Sequence, residues 1–147
     1  MRLSNSTLAG LATRIALLSG AAAVGLAAWG AHALTGAEAS GLRAFDTAAR
    51  MHLIHSIVLL VIALWWSHAP RSRSLGLACA MLMLGMLMFC GTIYLRVLAG
   101  ETSLARLAPA GGLLLIAGWI TPVFAGHWLK GPKTDEDLSP GSARFGE

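Results

Sequence analysis

Four long runs of apolar residues alternate with short polar segments along the chain. The runs cover residues 15–34, 51–66, 75–98 and 107–128. A helix needs about 20 mostly apolar residues to cross a hydrocarbon core roughly 30 Å thick. The pattern therefore predicts an all-α, polytopic membrane protein with four transmembrane helices.

The segment before the second run, residues 35–50, has a different periodicity. Leu42, Phe45 and Ala49 recur at helical spacing, and Asp46 and Arg50 stand four residues apart, where they can form an ion pair. The spacing predicts an amphipathic helix that lies at the membrane interface before the chain turns into the bilayer.

The ends of the runs carry further signals. Arg2 and Arg14 precede the first run, which ends in Ala-His-Ala, so a signal peptide is an alternative there. The run is long enough to span, and we interpret it as the first transmembrane helix. Gly100 is expected to stop the third helix, and Pro122 to kink the fourth. Residues 1–129 then form a four-helix domain, and residues 130–147, with Pro, Gly, Ser and mixed charge, a disordered cytoplasmic tail.

Composition agrees with a membrane location. Of the 147 residues, 56% are hydrophobic and 12% are charged, whereas soluble domains carry about 25% charge. The net charge is +4, and the basic residues sit in the short connections. No motif for binding nucleic acid accompanies them, so nucleic acid is not an expected partner. The lipid bilayer is the expected environment.

The basic residues also predict an orientation. Four helices place both termini and the middle turn on one side, and the side with more Lys and Arg is usually cytoplasmic. One side holds seven basic residues and the other four: Arg2, Arg14, Arg71, Arg73, Lys130, Lys133 and Arg144 against Arg43, Arg50, Arg96 and Arg106. We therefore expect a multi-pass protein of the bacterial inner membrane with both termini in the cytoplasm.

With this topology, polar residues gather towards the outer side of the bundle. Ionisable side chains inside a bilayer are costly and usually face the bundle interior. His52 and His55, three residues apart, are expected to be neighbours on one helical face, with His55 the most deeply placed. The predicted cluster consists of His32, Asp46, Arg50, His52, His55, Tyr94 and Arg96.

Three interpretations of this cluster remain open. The favoured one is a structural network of hydrogen bonds between helices. The second is a metal or haem site with His32 and His55 as ligands, although no ligand motif supports it. The third is a small-molecule, quinone or proton site in which a histidine titrates near neutral pH. No cofactor or metal is predicted.

The sulfur-containing residues of the third run are read as packing residues. Cys79 and Cys90 share a helical face but are separated by roughly 16 Å of helical rise, so they cannot bond to each other within one helix. Four methionines of the same run, Met81, Met83, Met86 and Met88, could resemble a copper stripe. These methionines alternate over more than one helical face, so packing or lipid contact is the favoured interpretation.

Several segments resemble a known family. Residues 28–34 (AWGAHAL), 45–50 (FDTAAR) leading to His55, 90–95 (CGTIYL), 108–112 (APAGG) and 117–119 (AGW) occur in the family's order. The family is the small bacterial membrane-protein family catalogued as domain of unknown function four-two-three, which includes homologues of transmembrane protein 256. The resemblance implies four transmembrane helices in the inner membrane, with His32, Arg50, His55 and Tyr94 at matching polar positions. It implies no activity, and Arg96 stands where the family pattern has an apolar residue.

The resulting functional prediction is a non-enzymatic structural or accessory subunit of a larger membrane complex. Its partners would be other membrane-protein chains or a second copy of itself. The alternative is a module that binds or transports a small ligand, quinone, ion or proton at the outer cluster. An accessory subunit should expose a helix face of small residues, whereas a binding module should show a cavity that reaches His55. No arrangement of serines or paired carboxylates typical of enzymes is found.

Overall fold

The computed structural model describes residues 4–34 and 38–125. Within these ranges the chain is helical and contains no strand. The α-helices are α1 (Asn5–Ala33), α2 (Ala39–His68), α3 (Arg73–Met86), α4 (Thr92–Ala99) and α5 (Leu107–Ile120). A π-helical turn (Leu87–Gly91) joins α3 to α4, and 3-10 turns (Ser103–Arg106 and Thr121–Ala125) flank α5.

These elements form four helices that are long and apolar enough to cross a membrane. They are α1, α2, a third span (Arg73–Ala99) and a fourth span (Ser103–Ala125). The prediction of an all-α chain with four transmembrane helices is confirmed. The predicted tail, residues 130–147, lies outside the described residues.

Contacts near the turns define the two ends of the bundle. Ser4 caps α1, because its hydroxyl oxygen accepts a hydrogen bond from the Thr7 amide at 3.2 Å. The Asn5 side-chain amide donates to the Pro70 carbonyl at 2.7 Å. The start of α1 therefore lies beside the turn between α2 and α3, which we call the Pro70 end. The opposite end, where α1 and α4 finish, is the Gly100 end.

The predicted amphipathic segment is helical, but it forms the first turns of α2 instead of a separate helix. No break separates it from the following span, and α2 runs for 30 residues. The buried residues Phe45, Ala48 and Ala49 continue the face that buries Leu59 further along. Because this buried face is continuous, the amphipathic segment and the following span form one helix. His52 and His55 consequently lie near the middle of α2 and not at its opening.

The helices pack mainly on their neighbours in sequence. α1 lies along α2, α2 packs on α3, and α3 packs on α5, so α1 and α5 occupy the two flanks. Small residues of α1 make the first contact possible. The core is formed chiefly by Ala9, Ala12, Ala16, Leu59, Ala63, Trp66, Leu75, Leu82 and Leu115.

Glycine allows the backbone of the fourth span to approach the backbone of the third closely. A Cβ atom added to Gly111 would lie 2.5 Å from the Phe89 backbone nitrogen, inside the π-helical turn. A Cβ added to Gly118 would lie 2.8 Å from the Leu82 side chain. Small residues at such positions bring helices close enough for extensive packing in lipid.

Two turn signals read from the sequence are visible in the structure. Gly100 adopts φ +68°, and the Gly100 and Glu101 amides donate to the carbonyls of Arg96 and Leu95. The predicted helix stop is therefore confirmed. Pro122 has no amide hydrogen to donate, and α-helical geometry ends just before it, at Ile120, where a 3-10 turn replaces the predicted kink.

The turn after Gly100 is stabilised by Glu101. Its carboxylate accepts a hydrogen bond from the Ser103 amide at 2.7 Å. Hydrogen bonds from the Ser103 side chain and backbone favour the ionised form and lower the pKa of Glu101.

Candidate functional site

The seven residues predicted as one polar cluster fall into three groups in the structure. Four of them, His32, Asp46, Arg50 and Arg96, are exposed. His52 and Tyr94 are half-buried and contact each other between helices. His55 is buried and faces a different neighbour.

The exposed group lies towards the Gly100 end. Arg50 Nε and Asp46 Oδ2 are 3.0 Å apart, so the predicted ion pair is confirmed. Both side chains are largely exposed, at 75% and 60%, and such a pair contributes little stability in water. His32 and Arg96 lie in the last turns of α1 and α4. Neither side chain forms a hydrogen bond or ion pair with another residue that the structure describes.

His52 is the centre of a hydrogen-bonded network that joins α1, α2 and α4. Its Nε2 atom lies 2.8 Å from Ser19 Oγ, and its Nδ1 atom lies 3.3 Å from the Tyr94 hydroxyl. Ser19 Oγ is in turn 2.8 Å from Ser56 Oγ. Ser56 donates to the backbone carbonyl of His52 at 2.8 Å, which brings the network back to the residue where it starts.

The chemistry of these groups assigns the protons. Each serine hydroxyl has one proton, and Ser56 uses its proton on the His52 carbonyl, so Ser19 must donate to Ser56. Ser19 then accepts from His52 Nε2–H, and His52 Nδ1 accepts from the Tyr94 hydroxyl. With His52 neutral, every donor of this network has a partner. The arrangement is that of an internally satisfied polar network.

Ser19 and Ser56 were not among the predicted site residues. Ser56 lies four residues after His52, one turn further on the same face of α2, and this spacing could have indicated a shared contact. Ser19 stands among apolar residues in the middle of α1. A lone serine at that depth carries little information until the neighbouring helix is known.

Aromatic rings extend this network towards the Gly100 end. The Tyr94 ring lies 5.1 Å from Phe45 and 5.9 Å from His52, and Phe45 lies 6.1 Å from Trp29, all between ring centroids. A Cβ added to Gly30 would lie 2.5 Å from the Phe45 ring, so Phe45 fills the space that glycine leaves on α1. Tilted ring contacts of this kind stabilise the packing of α1, α2 and α4.

A small cavity of about 310 Å³ lies beside the network, between α1 and the third span. Its polar lining is supplied by His52, Ser19 and Tyr94. The sulfur-containing side chains of Met86 and Cys90 also line it. Met86 Sδ lies 3.8 Å from Ser56 Oγ, whose proton is directed to the nearer His52 carbonyl. Cys79 and Cys90 are both free and buried. Among the described residues, no group of three or more His, Cys, Asp or Glu side chains could hold a metal ion.

His55 belongs to a separate environment, although it lies only three residues from His52. Its side chain is 5% exposed, and its ring meets Trp119 of α5 edge-on with centroids 6.3 Å apart. Three residues turn a helix by about 300°, so the two histidines point about 60° apart and reach different helices. The two histidines are therefore close along α2, as expected, but they contact different helices.

The hydrogen bonding of His55 also differs from that of His52. His55 Nδ1 lies 2.6 Å from the Met51 backbone carbonyl, which can only accept, so Nδ1 carries a proton. In the neutral ring, Nε2 is then an acceptor. It has no hydrogen-bond partner among the residues that the structure describes. The two histidines thus have opposite tautomers, one satisfied and one with an open nitrogen.

Comparison with known proteins agrees with this architecture. Residues 26–112 match the model of the family described as protein of unknown function, DUF423. The chain is 31% identical over 105 residues to a UPF0382 membrane protein of Haemophilus influenzae, covering 71% of this chain and 83% of that protein. It is 31% identical over 104 residues to the UPF0382 membrane protein YwdK of Bacillus subtilis, covering 70% and 85%.

A eukaryotic relative is similarly close. The chain is 34% identical over 114 residues to the UPF0382 membrane protein C1782.12c of Schizosaccharomyces pombe, covering 73% of this chain and 93% of that protein. No solved structure matches the chain.

The fold and its relatives together define a small integral membrane protein with four transmembrane helices. More specifically, the chain belongs to the DUF423 family, whose members among these relatives are called UPF0382 membrane proteins. The resemblance inferred from the sequence segments is confirmed.

Proposed function

We propose that this protein is a non-enzymatic structural or accessory subunit of a larger membrane complex, and that α1 packs against a transmembrane helix of another chain. The observation that carries the proposal is the outward face of α1. It consists of Ala21, Gly25, Ala28 and His32, all of them exposed. We call these four residues the α1 face.

The α1 face lies opposite the side of α1 that packs on α2. Its residues follow each other at intervals of four, three and four, which places them on one stripe of a helix. A Cβ added to Gly25 would meet nothing within 4 Å, so no part of the described chain uses the space that glycine leaves. In lipid, small residues bring helix backbones together, and polar side chains hydrogen-bond between helices.

The state of the polar network supports a structural role over a catalytic one. The donors of His52, Ser19, Ser56 and Tyr94 are all used within the chain. A single binding site made of the seven predicted residues is less favoured, because four of them are exposed and His52 is already paired. His32, in contrast, extends from the α1 face without a partner among the described residues.

For the location, we propose the bacterial inner membrane with both termini in the cytoplasm. The excess of Lys and Arg on the side of the termini and of the turn at Arg71 and Arg73 supports this orientation. The contact between Asn5 and Pro70 is consistent with it, because it puts the start of α1 and that turn at one end of the bundle.

The proposal is tested by filling the α1 face. Gly25→Leu should abolish association with other chains, because the leucine side chain keeps a second helix at a distance. Complexes extracted in mild detergent would be sized on native gels, and the partner chains would be identified by mass spectrometry. Folding should be preserved, because Gly25 faces away from every described residue.

Ala80→Leu is the matched control, because Ala80 is an exposed small residue on α3. It should leave the complex unchanged. A protein that migrates as a monomer before any substitution, or a Gly25→Leu complex of unaltered size, would contradict the accessory role.

A further inference from the structure

An apolar groove lies between α2 and the fourth span. Its volume is about 660 Å³, within the range of small-molecule sites. Its walls are apolar: α2 contributes Ile57, Val58, Val61, Ile62 and Trp65, and the fourth span contributes Trp119 and Pro122. The α2 wall extends for roughly 12 Å along the helix axis.

His55 does not line this groove but lies next to it, two residues before the first α2 residue of its wall and against Trp119. Val58, which lines the groove, follows His55 by one helical turn on the same face of α2, and Trp119 lines the groove while contacting the His55 ring. His55 is 95% buried in the middle of a transmembrane helix, since only 5% of it is exposed. Its Nε2 acceptor is unpaired among the described residues. A polar atom at this depth is costly unless something pairs with it.

We propose that the groove binds a membrane-soluble quinol. Its apolar tail lies along the α2 wall, its aromatic ring lies against Trp119, and one of its phenolic hydroxyls donates a hydrogen bond to His55 Nε2. The site is distinct from the His52 network, which faces other helices, and from the α1 face on the opposite flank.

The tautomer of His55 determines which head group fits. Its Nδ1–H is committed to the Met51 carbonyl at 2.6 Å, so neutral Nε2 can accept a hydrogen bond but cannot donate one. A hydroxyl satisfies this atom, whereas the carbonyl oxygen of an oxidised quinone does not. An acyl chain of bulk lipid would fill the groove but leave Nε2 unpaired. Trp119, half of whose surface is exposed, offers a ring surface that favours an aromatic head over an aliphatic alcohol.

The test uses three probes that share one tail. The full chain in phosphatidylcholine nanodiscs would be titrated anaerobically with decylubiquinol, with its dimethyl ether and with oxidised decylubiquinone, and saturable quenching of tryptophan fluorescence would be followed. The quinol should bind about tenfold more tightly than the other two, because it alone supplies a hydroxyl proton.

Two substitutions test separately where the head group and the tail of the quinol bind. His55→Leu should weaken binding of the quinol to the level of the ether and leave the ether unaffected. Val61→Phe fills the groove without touching His55 and should lower the binding affinity for all three probes by about tenfold or more. Leu84→Phe is the matched control, because Leu84 is an exposed apolar residue on α3 outside the groove.

Equal affinities for quinol and ether would overturn the role of His55. Quinol binding that survives Val61→Phe would overturn the groove as its site, even if His55→Leu failed to fold. Quenching that does not saturate would show that only bulk lipid occupies the groove. None of these results depends on the α1 face, so this inference and the accessory role fail or stand separately.

Discussion

At the scale of single residues, two histidines of one helix differ in what surrounds them. His52 Nε2 donates to Ser19, and its other nitrogen accepts from Tyr94, whereas His55 donates from Nδ1 to its own helix and keeps Nε2 open. The choice of tautomer is made by backbone carbonyls and serines that surround each ring. It explains why His52 joins helices through hydrogen bonds, whereas His55 keeps one ring nitrogen without a partner among the described residues.

The network predicts a measurable coupling between α1 and α2. Ser19→Ala and Ser56→Ala should each lower the free energy of unfolding by about 0.5–1 kcal/mol, the range of measured hydrogen bonds between membrane helices. The double variant should lose less than the sum, because both substitutions break the same contact. Unfolding in mixed detergent and dodecyl sulfate micelles measures these differences.

Ser67→Ala serves as the control for this cycle. The Ser67 hydroxyl is exposed, donates to the Leu64 carbonyl of its own helix and contacts only the adjacent His68 side chain besides. Its removal should change stability by less than about 0.5 kcal/mol. Strict additivity of Ser19→Ala and Ser56→Ala would show that the two hydroxyls do not interact in the membrane.

Residue types alone identified part of this arrangement. His52, His55 and Tyr94 stand out because polar side chains are rare in apolar runs, and the pair of Asp46 and Arg50 follows from helical spacing. Ser19 and Ser56 do not stand out, because a serine hydroxyl can bond to a carbonyl of its own helix and so needs no partner on another helix. Which histidine they contact depends on how α1 rotates against α2, and neither helix encodes that rotation by itself.

At the scale of elements, the backbone of the fourth span closely approaches the π-helical turn of the third. Gly111→Ala should destabilise the protein by about 1–3 kcal/mol, because the new Cβ would lie 2.5 Å from the Phe89 backbone nitrogen and the helices would have to separate. Denaturation in detergent micelles provides the comparison with the unaltered chain.

The neighbouring glycine provides a matched control. A Cβ added to Gly112 would meet only the Phe89 ring, at 3.8 Å, which is an ordinary contact. Gly112→Ala should therefore be neutral or raise stability by up to about 1 kcal/mol, since alanine favours helix over glycine. If both alanine variants behaved alike, the close approach at Gly111 would be excluded.

Helix boundaries were harder to predict than helix existence. Hydropathy detects residues that lipid can surround, so it begins the second span at residue 51, yet α2 begins twelve residues earlier at Ala39. The additional turns are amphipathic, and their buried side packs on neighbouring helices. The π-helical turn at Leu87–Gly91 leaves no mark in the hydropathy pattern, because it changes backbone hydrogen bonds within an apolar run.

At the scale of the whole molecule, the orientation in the membrane can be tested directly. Green fluorescent protein fused after Glu147 should fluoresce, and alkaline phosphatase at the same position should be inactive, because the positive-inside rule puts the C-terminus in the cytoplasm. Cell fluorescence and phosphatase activity are the readouts.

The reciprocal fusion should give the reciprocal result. Alkaline phosphatase fused after Glu101, in the turn at the Gly100 end, should be active, since three spans then precede it. Active phosphatase after Glu147 would reverse the proposed orientation and place the exposed Asp46–Arg50 pair in the cytoplasm.

The length of α2 gives the molecule a mechanical property. Thirty residues extend for about 45 Å, whereas the hydrocarbon core is about 30 Å thick, so α2 must tilt or protrude. The exposed ion pair of Asp46 and Arg50 lies in the turns that can reach the head groups. Because no hinge interrupts the helix, a pull or push on those turns is transmitted as in a rigid rod. A partner that binds these turns and shifts α2 along its axis therefore shifts His52 and His55 by the same distance.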